Sequence, residues 1–428
     1  MKLFPKHENS PREKIAFRLH LIYSILEGFL LGVFALNEFI FIKSMNRSSF
    51  ELGLLFQFSL LVFLFLFFIN EFIKRIKDKP KLIFITGLVT RAPLFLFFFF
   101  PGDSEIYRGD GLYHVWFLAI FFVYYMGNPI IFPHINYFLR NSYRNENFGF
   151  LYSYSTSVNK LVMLVVTFGY GIWLDYDPFA FRFVLPMTSV TGIVSAWFLS
   201  KIPYRAVPGK KPITMGLYRS IRTSAVNMVK VLRNNRPFLM FQIAFMFYGY
   251  AFMASTPVVT IFYKDVLDLN YMSVAFYRNA YNIVAIVLLP FAGRFLDRVG
   301  AGRFGIVTFL SLAFYFVFVT LTQYFPAHFE AWGISFFWSM LIATTFHGAF
   351  AATMALLWNI GSAYFCSKED SGEYQNVHLF LTGFRAIYST VIGIYVFELI
   401  GYTANFLVSI GSLGVGVVIL YLSFKRKK

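Results

Sequence analysis

Five basic side chains stand inside or at the edge of the long apolar stretches of this 428-residue chain: Arg18, Arg91, Lys160, Arg278 and Arg385. Lys160, Arg278 and Arg385 are the three that share a helical face with other polar residues. A charged group in a hydrocarbon environment costs several kcal/mol unless it faces water or a partner. Buried cations bind anions through charge-assisted hydrogen bonds, which are stronger where the dielectric constant is low. The residue types therefore predict contact with a negatively charged group.

Polar residues accompany these cations at helical spacing, which places them on shared faces. Two of these faces form stripes of polar residues, one ending at Lys160 and one containing Arg385. Arg278 shares a face with Asn282 and Tyr281. The first stripe is Ser153, Thr156, Ser157 and Lys160, and the second is His378, Thr382, Arg385 and Ser389. We expect each stripe to face a polar environment.

The composition identifies the elements that must carry these stripes. The chain is 58% hydrophobic and 14% charged, with a mean hydropathy of +0.61. A soluble domain is nearer half apolar and about a quarter charged. The single cysteine, Cys366, excludes a disulfide framework and gives no metal framework. These values predict a polytopic membrane protein.

Twelve apolar runs are long enough to cross a bilayer as helices, which needs about 20 residues each. They are 19–42, 50–72, 82–100, 112–132, 149–173, 183–200, 238–263, 271–295, 304–323, 332–358, 377–398 and 404–424. Strands of a β-barrel would alternate over roughly ten residues and would not sustain such runs. We expect an all-α fold with 12 transmembrane helices in two pseudo-symmetric six-helix bundles.

The distribution of Lys and Arg predicts the orientation. With twelve spans both termini lie on one side, which carries 28 of these residues in its loops and tails, against 5 on the other side. By the positive-inside rule, both termini of a multi-pass protein of the cell membrane are cytoplasmic. The net charge of +17 then reflects the orientation of the chain in the membrane, which argues against a nucleic-acid partner. The polar segment 1–14 precedes a full-length span and is not read as a signal peptide.

A long basic segment divides the chain into halves. We predict a cytoplasmic tail at 1–18, a first bundle at 19–200, a linker at 201–237, a second bundle at 238–424 and a tail at 425–428. After a turn at 208–212, apolar and basic residues of the linker alternate at helical spacing. This pattern is typical of an amphipathic helix on the anionic cytoplasmic leaflet of the bilayer. Lys160 in the first half and Arg385 in the second half are predicted to hold near-equivalent positions. Lys160 stands nine residues before Gly169, and Arg385 stands eight residues before Gly393.

A loop motif follows the eighth span. Its glycines allow close approach and turning, its acid caps a neighbouring helix, and its cations reach lipid headgroups. The motif residues are Gly293, Asp297, Arg298, Gly300 and Arg303. With the twelve spans, cytoplasmic termini and basic linker, the chain resembles the major facilitator superfamily, whose signature is Gly-x-x-x-Asp-Arg/Lys-x-Gly followed by basic residues.

The resemblance implies a latch at the cytoplasmic gate, with Asp297 as its acid in the second half. The family has a second copy between spans 2 and 3, and here Lys74 stands where the acid is expected. The first latch is therefore missing or has moved to Glu71. The alternative interpretation of both segments is that they are solvated basic loops.

The resemblance also implies which helices line a central cavity: 1, 4, 7 and 10 with 2, 5, 8 and 11. Lys160, Arg278 and Arg385 would then converge on one wet site near the midplane. Asn128 and Gln242 would add polar contacts in spans 4 and 7. Three cations in one pocket favour an anionic substrate.

Internal pairing is the competing interpretation, because buried charges are usually paired. Glu27 in the first span could neutralise one of the three cations, and if free it would be a candidate for proton coupling. His347 in span 10 is interpreted as a neutral core residue beside Thr344, with a proton-relay role as the alternative. Arg91, on an outer helix, is expected to be structural.

The main hypothesis is a monomeric secondary active transporter that carries a small organic solute by alternating access. In its more specific form, the solute is an organic anion. An ion or proton gradient would drive it, because the sequence has no Gly-x-x-x-x-Gly-Lys-Ser/Thr phosphate loop. An efflux pump for amphipathic compounds is the looser form. A membrane-embedded transferase is the alternative from another class, but carboxylates and histidines do not group at one face. No cofactor or metal is expected.

Overall fold

The computed structural model describes residues 10–46, 48–76, 78–109, 111–143, 145–204, 217–366 and 371–425. The predicted turn at 208–212 and the two chain ends lie outside this part. The α-helices are α1 (Pro11–Phe34), α2 (Asn37–Lys43), α3 (Ser49–Arg75), α4 (Lys79–Arg91), α5 (Ser104–Gly109), α6 (Leu112–Tyr125), α7 (Asn128–Arg140), α8 (Asn145–Tyr176), α9 (Phe181–Ser200), α10 (Leu217–Asn234), α11 (Arg236–Asp265), α12 (Tyr271–Tyr324), α13 (Trp338–Ile360), α14 (Ser371–Ile400) and α15 (Tyr402–Lys425). Short 3₁₀ helices span Ala92–Phe99 and Gly361–Phe365, and a hairpin is formed by β1 (His328–Ala331) and β2 (Ile334–Phe337).

The predicted all-α membrane fold is confirmed. In the described part of the chain, eleven helical segments are long and apolar enough to cross a membrane. The remaining predicted span, 50–72, coincides with α3, of which Ser49–Val62 is recorded as a shorter apolar helix. The apolar runs therefore identified the membrane helices correctly.

Capping side chains set where several helices begin. Ser10 accepts a hydrogen bond from the Glu13 amide at 3.3 Å, and Asp78 accepts one from the Lys81 amide at 3.0 Å. Asn235 does the same at the start of α11, at 3.0 Å. A side-chain oxygen at this position satisfies a backbone N–H that the helix itself leaves unpaired. These polar residues therefore position the membrane helices along the chain.

The chain forms two compact units by its contacts. The first comprises Met1–Asn46 and Phe65–Leu217, and the second comprises Arg47–Leu64 and Tyr218–Lys428. Sequence reasoning assigned all of the second span to the first bundle, whereas the beginning of α3 belongs to the second unit. The predicted boundaries of the linker and the tails stay predictions.

In the first unit α1 packs against α8 and α9, and α4 packs against α9. Two glycines bring α1 close to α8, because a Cβ at Gly28 would lie 2.6 Å from the Asn159 carbonyl oxygen and one at Gly32 would lie 2.7 Å from that of Met163. The Thr167 hydroxyl donates to the Gly32 carbonyl oxygen at 2.9 Å. Small residues four apart allow such close packing of membrane helices.

In the second unit α11 packs against α14 and α15, and α12 packs against α13 and α15. The beginning of α3 joins α14, where Gln57 Nε2 donates to the carbonyl oxygens of Ala386 and Ile387 at 2.6 and 2.9 Å. These helices enclose the polar stripe that contains Arg385.

The predicted loop between spans 8 and 9 is largely helical. The long helix α12 carries both spans and is interrupted by non-helical backbone at Gly300, whose φ is +74°. Only glycine adopts this conformation without steric cost, so the motif glycine at 300 makes the bend between two helices. Arg298 and Arg303 are exposed beside it. The side chain of Asp297 lies outside the described part of the structure, so the latch stays a prediction.

The predicted start of the tenth span, residue 332, is wrong. Residues 328–337 form the hairpin, with Trp332 and Gly333 at its turn at φ values of 53° and 74°, and α13 begins at Trp338. Two positive φ values are typical of a type I′ turn, whose twist suits paired strands. The Tyr277 hydroxyl holds the hairpin on α12, accepting from the Phe337 amide at 2.9 Å and donating to the Ser335 carbonyl oxygen at 3.0 Å. Aromatic residues of the hairpin had extended the apolar run beyond the helix.

We expect Gly28→Ala to lower the thermal melting temperature of the purified protein in detergent by several degrees. The added methyl group would meet the α8 backbone, which cannot move aside as a side chain can. Gly169→Ala on α8 is the matched control, because a Cβ there meets nothing within 4 Å. Alanine should leave or slightly raise the melting temperature at that site, since it is favoured over glycine in a helix by about 0.5–1 kcal/mol. Equal melting temperatures for the two variants would contradict the close packing of α1 on α8.

Candidate functional site

Arg385 lies on α14 in the interior of the second unit and is 0% exposed. Its Nη1 donates to the Phe245 carbonyl oxygen on α11 at 2.9 Å, and its Nη2 donates to the Thr382 hydroxyl at 3.0 Å. The side chain crosses α11 at Gly249, where a Cβ would collide with the guanidinium group. The absence of a side chain at 249 therefore makes room for the arginine.

Aromatic rings surround the guanidinium group. Its Cζ lies 5.8 Å from the ring centroid of Phe245, 5.7 Å from that of Tyr248 and 5.8 Å from that of Trp358. The negative faces of aromatic rings attract a cation at such distances. This attraction stabilises the charge in place without cancelling it.

No carboxylate lies in the membrane segments of the three helices that surround Arg385. In α11 the one acid is Asp265, at the helix end, and α13 contains none. In α14 the acids are Glu373 and Glu398, 12 residues before and 13 residues after Arg385, or about 18 Å and 20 Å along the helix. The positive charge is thus desolvated without a counter-charge from these helices.

A second polar group lies on the same face of α14. His378 is 1% exposed, Gln242 on α11 is 2% exposed, and the His378 Nδ1 and Gln242 Oε1 atoms are 3.2 Å apart. The imidazole centroid lies 5.0 Å from the rings of both Phe245 and Trp358. These are two of the rings that flank Arg385. We call the side chains of Gln242, Phe245, Tyr248, Trp358, His378, Thr382 and Arg385 the Arg385 cluster.

Among the residues that the structure describes, three buried nitrogen atoms of the Arg385 cluster have no hydrogen-bond partner: Arg385 Nε, His378 Nε2 and Gln242 Nε2. Buried polar atoms are nearly always hydrogen-bonded, so each exception calls for a reason. A ligand with acceptor oxygens would satisfy Arg385 Nε and Gln242 Nε2, and it would balance the buried charge. The cluster can therefore bind an anionic group.

Arg278 lies at a different depth of the second unit. Its Nη2 donates to the Thr260 hydroxyl on α11 at 2.6 Å, and the side chains of Arg278 and Asn282 are half-buried. Phe245 and Thr260 are anchoring points fifteen residues apart on α11, roughly 22 Å along the helix. The contacts therefore place Arg278 and Arg385 at separate levels, and the convergence of three cations on one site stays a prediction.

His347 is packed between aromatic rings. Its imidazole lies 4.1 Å from the ring centroid of Tyr281 on α12 and 4.5 Å from that of Tyr315, in nearly parallel stacks. Thr344, expected beside it, donates its hydroxyl to the Met340 carbonyl oxygen at 2.8 Å. This arrangement agrees with the interpretation of His347 as a core residue.

Lys160 belongs to the first unit, where it is half-buried on α8, and Ser157 is exposed. The preceding residue, Asn159, donates to the Ser24 carbonyl oxygen on α1 at 2.7 Å. Arg385 makes a similar bond in the second unit. In both units, a side chain of a later helix donates to a backbone carbonyl oxygen of the first membrane helix of that half, which is α1 or α11. The near-equivalence of Lys160 and Arg385 stays a prediction. Asn128 is half-buried at the start of α7.

Glu27 pairs with Arg91 rather than with any of the three predicted cations. The carboxylate Oε1 lies 2.7 Å from Arg91 Nη2, with side-chain exposures of 12% and 4%. Ser195 on α9 links the two, because it donates to Glu27 and accepts from Arg91 Nη1 at 2.7 Å. Arg91 also donates to the Gly192 carbonyl oxygen. The structural role expected for Arg91 is confirmed, and the pair ties α1, α4 and α9 together.

Sequence reasoning omitted two kinds of residue from the candidate site. His378 was recognised on the stripe of Arg385 but not as a site residue, although it lies seven residues before Arg385 on one helical face. Phe245 and Trp358 carried no signal, since the chain has 58 Phe and 6 Trp residues. Only the fold shows which rings meet the guanidinium group.

The sequence matches a family model described as Major Facilitator Superfamily over residues 19–363. The chain belongs to this superfamily. The protein is accordingly a multi-pass membrane transporter, and membership favours a transporter over the transferase alternative. No curated protein matches the sequence.

Solved structures of transporters share the fold of this superfamily member at low sequence identity. The nucleoside transporter NupG has a TM-score of 0.66 at 12% identity, covering 98% of this chain and 100% of its own. A POT family transporter in complex with 5-aminolevulinic acid has a TM-score of 0.71 at 11% identity, covering 96% of each chain. A D-xylose-proton symporter has a TM-score of 0.64 at 13% identity, also covering 96% of each chain. These similarities establish the fold of a secondary transporter.

We expect Glu27→Gln to destabilise the protein strongly, because it leaves the buried Arg91 charge without its carboxylate. Removing one partner of a buried ion pair costs about 3–5 kcal/mol, whereas an exposed pair contributes about 0–1 kcal/mol. The control is Glu105→Gln, whose pair with Arg108 has side-chain exposures of 75% and 59%. Thermal unfolding in detergent measures both variants, and the double variant Glu27→Gln with Arg91→Met should recover part of the loss. A melting temperature of Glu27→Gln equal to that of the control would contradict a buried ion pair.

Proposed function

We propose that this superfamily member is a secondary active transporter of small organic anions, driven by an ion gradient through alternating access. In this proposal Arg385 binds the negative group of the substrate. The observation that carries the proposal is the fully buried Arg385, whose surrounding helices hold no carboxylate in their membrane segments.

The charge of Arg385 supports an anion over a neutral solute. A buried cation without a counter-ion is costly, and an anion entering the site would relieve that cost. The hydrogen bonds to Phe245 and Thr382 fix the guanidinium group and leave Nε available. Binding energy is therefore concentrated on a negatively charged group.

The aromatic rings support an organic substrate. Phe245, Tyr248 and Trp358 offer apolar surface beside the charge. Ligand sites combine such surface with a few polar groups that fix the orientation of the ligand. A small molecule with an anionic end and a carbon body suits the Arg385 cluster.

Other predicted residues have supporting parts in this proposal. Lys160, Arg278, Asn282, Ser157 and Asn128 are proposed as further polar contacts along the transport path. Glu27 and His347 are proposed as packing residues, because one is held in an ion pair and the other in a ring stack. An efflux pump for amphipathic compounds is the second candidate, favoured by the aromatic surface of Phe245, Tyr248 and Trp358 if Arg385 binds no anion.

The proposal also includes the orientation. We place both termini in the cytoplasm of a protein of the cell membrane that works as a monomer, on the basis of 28 basic residues on one side against 5 on the other. The linker helix α10 would rest on the anionic leaflet. Val226 and Val229 are 44% and 58% exposed on it, and Arg222, Lys230 and Arg233 are exposed as well.

We expect organic anions to stabilise the wild-type protein against heat, and their uncharged counterparts to have no effect. The panel consists of lactate, gluconate, benzoate and methanesulfonate, with lactamide and benzamide as neutral controls. Arg385→Gln should abolish the anion response, because the positive charge is lost while a shorter, uncharged polar side chain remains. Uptake of the responding anion into liposomes should fall at least about 100-fold, the lower range for losing a buried charge interaction of about 3 kcal/mol.

Arg236→Gln is the matched control, since it removes an exposed arginine of the same unit at the start of α11. It should respond to anions as the wild type does. A wild type that responds to no anion in the panel, or an Arg385→Gln variant that responds normally, would contradict the proposal.

A further inference from the structure

A buried histidine lies next to Arg385 with one ring nitrogen unoccupied. We infer that His378 is the residue that takes up the coupling proton, so that the anion at Arg385 and a proton on His378 Nε2 are carried together. This inference rests on the proposed anion transport and adds its coupling site. It differs from the roles predicted from the sequence, in which Glu27 and His347 were the proton candidates.

The hydrogen bond to Gln242 leaves the second nitrogen of His378 open. A carbonyl oxygen only accepts, so with Gln242 Oε1 at 3.2 Å the Nδ1 atom of His378 carries the hydrogen. The neutral imidazole then has its lone pair on Nε2, which is buried and has no partner. A proton from water can add to this lone pair, and no other bond has to break.

The groups that face His378 come from three helices. Gln242 and Phe245 face it from α11, Trp358 faces it from α13, and Thr382 on α14 donates its hydroxyl to the His378 carbonyl oxygen at 3.0 Å. Among the described side chains, the charged group of this surrounding is Arg385, which flanks the same rings of Phe245 and Trp358. The nearby titratable tyrosines are Tyr248, against Arg385, and Tyr374, one turn before His378.

This arrangement makes proton binding depend on the anion. Before an anion binds, an imidazolium at His378 would lie about 10 Å along α14 from the guanidinium group of Arg385. Residues 379–384, which separate the two on α14, include no carboxylate. Two like charges in a low-dielectric site repel each other, and an anion bound between them turns this repulsion into attraction. By thermodynamic linkage the proton strengthens anion binding by the same factor. A monovalent anion and its proton then cross as a neutral pair.

Glu27 and His347, the proton candidates predicted from the sequence, lack this coupling to an anion at Arg385. Glu27 is engaged by Arg91 and Ser195, in the first unit. His347 is stacked between Tyr281 and Tyr315, and its nearest predicted cation, Arg278, already donates to Thr260. In the structure His378 thus combines an open nitrogen with a buried cation that shares its ring contacts.

The test measures anion affinity against pH for the purified full-length protein in detergent. The probes are lactate, benzoate and methanesulfonate, which stay fully ionised between pH 6 and pH 8. For the wild type, the dissociation constant of the responding anion should rise with pH by up to about tenfold per unit, the limit for one linked proton. An indicator dye in weak buffer should show proton uptake on anion addition.

His378→Gln removes the imidazole that takes up the proton, so the test compares the variant's dissociation constant for the same anion at pH 6 with its own value at pH 8. Its affinity should be independent of pH, and anion addition should cause no proton uptake. His328→Gln, which changes an exposed histidine of the hairpin, should behave as the wild type. His378→Asn serves as a second variant if glutamine prevents folding.

The outcomes separate this inference from the proposed function. A wild type whose anion affinity is independent of pH, or a His378→Gln variant that keeps the pH dependence, overturns the role of His378 while anion binding at Arg385 stands. Loss of pH dependence in His347→Gln alone assigns the proton to His347 and also overturns it. If no probe binds the wild type, the proposed function fails and this inference fails with it.

Discussion

A guanidinium group that has been removed from water must be compensated by something, and Arg385 is compensated only in part. One backbone carbonyl oxygen and one hydroxyl accept its hydrogen bonds, and three ring faces surround it. None of these partners carries a negative charge. The remaining electrostatic cost is the property that favours a substrate anion, and the other side chains of the Arg385 cluster are arranged around it.

A second buried arginine in the described part of the chain, Arg91, shows the alternative solution. Arg91 has a carboxylate at 2.7 Å and a serine that bridges the pair. Its charge is balanced inside the first unit, so it can hold three helices together and has no need of a ligand. The two arginines are similarly buried, at 3% and 0% exposure. The presence of an acid therefore distinguishes the structural Arg91 from Arg385, which we propose to be a binding residue.

Much of this architecture could be predicted from the sequence, because hydrophobic length and helical spacing are local properties. The spans, the polar face of α14 and the depth of Arg385 all follow from residues close together in the chain. The partner of Glu27 could not be predicted this way, since Arg91 lies 64 residues further on and the pair depends on how α1 and α4 pack. The hairpin was missed because Phe329, Phe336 and Phe337 are as apolar as a membrane helix. The local feature that indicates the hairpin is its turn at Trp332 and Gly333.

The guanidinium group of Arg385 occupies the space that a side chain at position 249 would fill. A single methyl group at this position would push the arginine aside without altering any charged residue. The identity of residue 249 therefore sets the position of the guanidinium group, and with it the geometry of the proposed anion site, although residue 249 itself carries no charge.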